Sequence, residues 1–115
     1  MGRVPTKDGL EQKPFQILLE FAKRDNCWVK VCGAERISSA GPPFTDAMPF
    51  AKALIQTAPD RVLWGTDWPH PNMKTHTPDE GQLVDFIPKI AVTADQQRKL
   101  LVDNPMRLYW PEEAG

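Results

Sequence analysis

Arg61-Val62-Leu63-Trp64-Gly65-Thr66-Asp67-Trp68-Pro69-His70-Pro71-Asn72 is the stretch from which the fold is read. Val62 to Trp64 is a short apolar run of the kind a fully buried strand shows. Gly65 ends it, and Thr66, Asp67, His70 and Asn72 crowd into the positions that follow. Pro69 and Pro71 fix φ on either side of His70, so the segment reads as a stiff loop and not as a helix start. A buried strand that delivers a carboxylate at its C-terminal end is how parallel α/β proteins present catalytic groups. The plainer alternative is that Asp67 caps the strand end and His70 is an ordinary loop histidine.

Working outward, Trp28 to Gly33 reads as a second strand, rich in β-branched and aromatic residues and closed by glycine. Before it, Phe15, Leu18, Leu19 and Ala22 recur at helical spacing, predicting a helix over Pro14 to Arg24. Met1 to Lys13 is polar and reads as a loop, as does Ala34 to Pro43, which holds Arg36 and two serines. Thr45 is placed to N-cap a helix over Asp46 to Thr57, with Phe50, Ala51, Leu54 and Ile55 on one face. Beyond a long polar loop, Glu80 to Ile87 reads as a helix ended or kinked at Pro88. Thr93 to Gln96 fits a capping box opening a helix to Val102. Asn104-Pro105 reads as the cap of a last short turn, followed by a frayed tail from Pro111.

Two strands separated by an amphipathic helix imply a parallel crossover. A parallel pair needs cover on both faces and partners on both edges, and two strands alone are marginal. Both runs lack polar alternation, so both faces expect burial. The sequence therefore reads as a piece of a larger α/β fold, with exposed strand edges that would favour self-association or a companion chain.

The chain of 115 residues is short enough for one domain at most. A formal net charge of −1 offers no electrostatic footprint for nucleic acid. No apolar run is long enough for a membrane span, and the N-terminus shows no signal-peptide pattern. Cys27 and Cys32 match no zinc or redox spacing and read as reduced thiols of a cytoplasmic protein.

Asp67 within Leu63 to Pro71, with the closing Asp103-Asn104-Pro105-Met106-Arg107-Leu108-Tyr109, resembles the C-terminal end of the amidohydrolase-related hydrolases. The likeness is nearest to the branch that opens 2-pyrone-4,6-dicarboxylate, the lactonases of bacterial aromatic catabolism. Trp28 to Ser38 looks like that branch's seventh-strand segment, and Met1-Gly2-Arg3 like the residues after its Asp-His pair. The resemblance implies a TIM-like (β/α)₈ barrel, of which residues 1–115 would be strands 7 and 8 with their helices. A full barrel needs about 250 residues, so the first six strands would lie outside this chain. Met1 would then fall inside the family's sequence.

The resemblance implies that Asp67 is the general base for the hydrolytic water. A carboxylate at a barrel mouth can take that proton in a dry pocket whose surroundings favour its protonated form. Arg36, leaving the neighbouring strand at a matching end, would clamp a carboxylate of a small dicarboxylate substrate. His70, Asn72 and Ser38 are further candidates for substrate contact. Trp64 and Trp68 are expected to pack and exclude water, and His76 to face solvent. No metal or other cofactor is expected, because His70 and His76 stand outside any ligating spacing. The alternative is zinc held through Asp67, as in the family's decarboxylases and hydratases. A third reading is a non-catalytic fragment, or a half-barrel active only after association; this chain alone is expected to be inactive.

Overall fold

The computed structural model describes residues 1–73 and 77–114. Its centre is a two-stranded parallel sheet, β1 (Val29–Val31) beside β2 (Val62–Trp64). The register pairs Val29 with Val62 and Val31 with Trp64, so the two strands end level with each other. The chain passes from one to the other through α3 (Met48–Thr57). It is an α/β arrangement with two parallel strands, as the hydrophobic pattern predicts.

One face of the sheet is covered by α3, and α1 (Lys13–Ala22) packs against α3. Phe15, Leu54, Val31 and Val62 are fully buried there, and Phe15 meets Phe50 edge-on with ring centroids 4.8 Å apart. The other face departs from expectation, because Lys30 is exposed in the middle of β1. Burial on both faces does not hold for that strand. Arg61 ties the sheet to α1 by donating to the carbonyls of Ala22 and Arg24, at 3.0 and 2.9 Å. Those carbonyls lie at the helix end, where unpaired acceptors need donors.

In a parallel ladder alternate residues aim their carbonyls away from the partner strand. Two of these outward carbonyls find donors from outside the sheet. Met1 N donates to Lys30 O at 2.9 Å, running residue 1 along the free edge of β1. On the far edge Asn104 Nδ2 donates to Val62 O at 2.8 Å and to Pro59 O at 2.8 Å. Both edges are therefore partly covered, and Met1 to Lys13 is less open than a plain loop, with a 3₁₀ turn at Thr6–Asp8.

Other expectations change in detail. Residues 34–37 form a helical turn, α2 (Ala34–Ile37), entered through Gly33 at φ 76°. The glycine is needed there for that left-handed turn. Thr45 does not cap α3: it opens a 3₁₀ turn, Thr45–Ala47, with no side-chain cap. The third predicted helix breaks at Phe86 into α4 (Glu80–Asp85) and α5 (Ile87–Ile90), with Pro88 in the first turn of α5, where a proline fits. The capping box forms, with Thr93 accepting from Gln96 N at the start of α6 (Ala94–Arg98).

Asn104-Pro105 does not cap a separate turn. The chain continues from α6 through a π-helical stretch, Lys99–Asp103, into α7 (Asn104–Tyr109). Pro105 offers no N–H to the carbonyl four residues back and its ring crowds that carbonyl, which accounts for the widened turn just before it. A further turn, α8 (Pro111–Ala114), replaces the expected fraying. Among the described residues, no helix is long and apolar enough to cross a membrane. Cys27 and Cys32 are free thiols, both half-buried.

Asn104 is fully buried and bridges two carbonyls. Replacing it with alanine leaves both acceptors without that donor, so Asn104→Ala is expected to lower stability by about 1–3 kcal/mol. Denaturant midpoints of the two proteins measure the difference.

Candidate functional site

The level ends of β1 and β2 bring two loops together. After β1 comes Gly33 and then α2, which carries Glu35 and Arg36. After β2 comes Gly65-Thr66-Asp67, and Thr66 Oγ1 accepts from Trp68 N at 3.1 Å. Asp67 and His70 both have left-handed backbones, φ 65° and 61°, and His70 N donates to Asp67 O at 2.7 Å. Such conformations cost a non-glycine residue on the order of 1–2 kcal/mol each, so this loop is held by its surroundings.

Arg36 Nε lies 3.4 Å from Asp67 Oδ2, with both side chains largely shielded from solvent. The pair is an ion pair without an aligned hydrogen bond, since neither atom has a hydrogen-bond partner among the described residues. Asn72 joins from the same loop. With its amide oriented so that the oxygen faces the cations, Asn72 Oδ1 accepts from Arg3 Nη2 at 2.8 Å and from Arg36 Nη1 at 3.3 Å. Two guanidinium groups and one carboxylate thus share one rim.

Beneath that rim is a buried histidine. His70 Nδ1 donates to Glu35 Oε1 at 3.2 Å, and Nε2 donates to Glu80 Oε1 at the start of α4. With both glutamates ionised as acceptors, each ring nitrogen donates and the imidazole carries both protons. Burial pulls the imidazole's pKa down, but the hydrogen bonds and charges of Glu80 and Glu35 outweigh it and hold it above its ordinary value of 6.5. Both His70 nitrogens are thus engaged by carboxylates.

Ser38 is engaged elsewhere. Its hydroxyl donates to Asp46 Oδ1 and accepts from the amides of Ala40 and Gly41. Asp46 also accepts from Thr6 Oγ1 at 2.6 Å and Ser39 N at 2.8 Å. This network folds the loop after α2 and does not extend to Asp67. Trp64 packs against the core, whereas Trp68 is 73% exposed and leaves the packing role assigned to it unfilled. His76, expected to face solvent, lies outside the described residues.

One oxygen of Glu35, one of Asp67 and one nitrogen of His70 lie within 4.8 Å of one another, the spacing a metal would need. As arranged, the donors do not fit an ion. Both His70 nitrogens are bonded to carboxylates, and a guanidinium already stands beside Asp67. Glu35, Glu80 and Arg3 were not singled out from the sequence. Glu35 alone carried a hint: it sits between Ala34 and Ile37, which are both buried.

Residues 1–110 match a family model described as amidohydrolase. The chain belongs to the amidohydrolase family. A 2-pyrone-4,6-dicarboxylate hydrolase from Comamonas testosteroni is 53% identical over 98% of this chain and 40% of its own length. A 4-sulfomuconolactone hydrolase from Rhizobium radiobacter is 46% identical over 94% of this chain and 37% of its own. Among solved structures, an apo crystal structure of an Agrobacterium tumefaciens protein superposes with a TM-score of 0.71 at 28% identity. That match covers 86% of this chain and 35% of the other. The chain spans about 40% of the length of the curated amidohydrolase relatives it matches.

Asp46 carries a pH prediction. Against a burial penalty, the hydroxyls of Ser38 and Thr6 and the amides of Ser39 and Ala40 hold its pKa well below the usual carboxylate range. A depressed folded-state value means that its stability contribution is present above the ordinary 3.8 and drains away as pH falls through the lower folded value. Denaturation midpoints should fall as pH drops from about 5 toward about 2, and the fall should be shallower in Asp46→Asn.

Proposed function

We propose that this chain carries the last two strands of a (β/α)₈ barrel and, with them, one wall of a lactone-hydrolase active site. The single observation that supports this is the Asp67 carboxylate 3.4 Å from the Arg36 guanidinium at the shared mouth of two parallel strands. Placement at strand C-terminal ends is where barrel enzymes keep their chemistry. The relatives named as lactone hydrolases point to the same reaction class.

In this reading a small planar lactone bearing carboxylates enters from the rim. One carboxylate meets Arg36, with Asn72 and the second guanidinium, Arg3, beside it. Arginine suits that task because its planar fork matches a carboxylate with two donors. A water oxygen bonds to the lactone carbonyl carbon while Asp67 takes the water's proton. The ring C–O bond then breaks, and the departing oxygen takes up a proton, giving the open-chain acid. Ser38 and His70 make no substrate contact here, since their polar atoms are committed to Asp46 and to two glutamates.

A second reading is favoured by the length of the match. These residues supply two strands where such a barrel has eight and about 250 residues, so the rest of the site would come from outside residues 1–115, from further chain or from a packing partner. Leu101, Val102, Tyr109 and Trp110 are exposed apolar residues near the C-terminus, available to such a partner.

Purified protein is expected to bind 2-pyrone-4,6-dicarboxylate weakly and to turn it over little or not at all. Binding should fall at least about tenfold in Arg36→Met, the loss of one charge-assisted contact. Calorimetry or NMR titration reads the affinity and ultraviolet absorbance the ring opening. An affinity unchanged by Arg36→Met would sink the substrate assignment. Stoichiometric zinc that depends on Asp67 would favour a metal-dependent member of the family instead.

A further inference from the structure

We propose that His70 is a positioning residue: clamped between Glu35 and Glu80, it holds the Asp67 loop against the turn that carries Arg36. The inference deepens the lactone-hydrolase reading and takes from it the significance of the Asp67–Arg36 pair.

Three observations carry it. The His70 side chain is wholly shielded, and both ring nitrogens meet carboxylates that come from different elements, Glu35 in α2 and Glu80 in α4. Its own loop is anchored through the turn in which His70 N donates to Asp67 O. Glu35 is the immediate neighbour of Arg36, so the His70–Glu35 bond fixes the spacing between the two loops one residue away from the ion pair. The imidazole is therefore a tie between three segments that have no sheet contact with one another at this end. Asp67 and His70 sit in left-handed conformations that the loop would relax if released. Such backbone geometry persists when the neighbours over-determine it, and a doubly bonded imidazolium does so.

Charge completes the argument. The groups that face the His70 ring are Glu35 from α2 and Glu80 from α4, with Asp67 on its own loop and Arg36 beyond it. One imidazolium between two carboxylates leaves the cluster with spare negative charge. Among the described residues Glu35 Oε2 is buried without a hydrogen-bond partner. Arg36, the residue next to Glu35, places its guanidinium beside Asp67 at the edge of this cluster.

The test is NMR of the full chain labelled with ¹⁵N and ¹³C, which needs no turnover. In the wild type both His70 ring nitrogens should report as N–H at pH 6.5, the ordinary midpoint for histidine, and remain so above it. In His70→Gln the Asp67 carboxyl carbon and the Arg36 Nε–H should move to where they lie when the pair is broken, the first read from Arg36→Met and the second from Asp67→Asn. The signals of Trp64 and of the core methyls should stay in place. A bare ring nitrogen on His70 at pH 6.5 in the wild type would overturn the proposal, as would a folded His70→Gln with the Asp67 and Arg36 signals unmoved. Should His70→Gln fail to fold, Glu80→Gln carries the test, because Glu80 is partly exposed. There the His70 midpoint should fall and the Asp67 signal move with it; a fall in the midpoint with Asp67 unmoved overturns the clamp. Failure of the dicarboxylate to bind while these signals behave as expected overturns the lactone reading alone.

Discussion

Parallel pairing of β1 with β2 in level register is the constraint on which the rest depends. Because Val29 faces Val62 and Val31 faces Trp64, the turns that leave the two strands start side by side. Neither strand is longer than three residues, so the pairing has few ladder bonds of its own. It is held from outside: Arg61 fastens β2 to the end of α1, Met1 N covers a carbonyl on one edge and Asn104 covers one on the other. The covered face buries Phe15, Leu54, Val31 and Val62, which supplies the apolar contribution a two-stranded sheet lacks alone.

From that platform two kinds of loop are built by different means. The loop after α2 is organised around Asp46, which gathers three hydroxyls and two backbone amides and makes a turn without regular structure rigid. The loop after β2 is organised around a cation, His70, which gathers two carboxylates. Each gathers its partners around one charged centre, the half-exposed Asp46 carboxylate in the first loop and the buried His70 ring in the second. The difference matters chemically. With Ser38 engaged by Asp46 and His70 by glutamates, Asp67, Arg36, Asn72 and Arg3 are among the polar groups on the rim.

The strands, the capping box and the emergence of Asp67 at a strand end were legible because each rests on local pattern: apolar runs closed by glycine, and Thr93 three residues before Gln96. Arg36 was legible by the same logic, lying just beyond Gly33. The helical turn at 34–37 was not, because four residues carry too little periodicity to separate from a loop. Nor could the sequence show that Glu35 and Glu80 meet His70, since separations of 35 and 10 residues are closed by tertiary packing. The π-helical stretch before Pro105 was missed for a different reason. Asn-Pro reads as a cap by propensity, but Asn104 is drawn inward by two carbonyls, and that burial outweighs its capping preference.

The residues at the two left-handed positions of the β2 loop bear on why this loop is built as it is. Glycine reaches that conformation without the Cβ penalty and would be the cheapest choice at 67 and at 70. Asp67 and His70 occupy them instead, each at a cost on the order of 1–2 kcal/mol. Their side chains make the difference: one reaches the Arg36 guanidinium, the other two glutamates. A loop that merely turned the chain would not need either. Because Asp67 and His70 share one turn, closed by the His70 N to Asp67 O bond, a carboxylate held at Arg36 and a ring held between two glutamates constrain the same stretch of backbone.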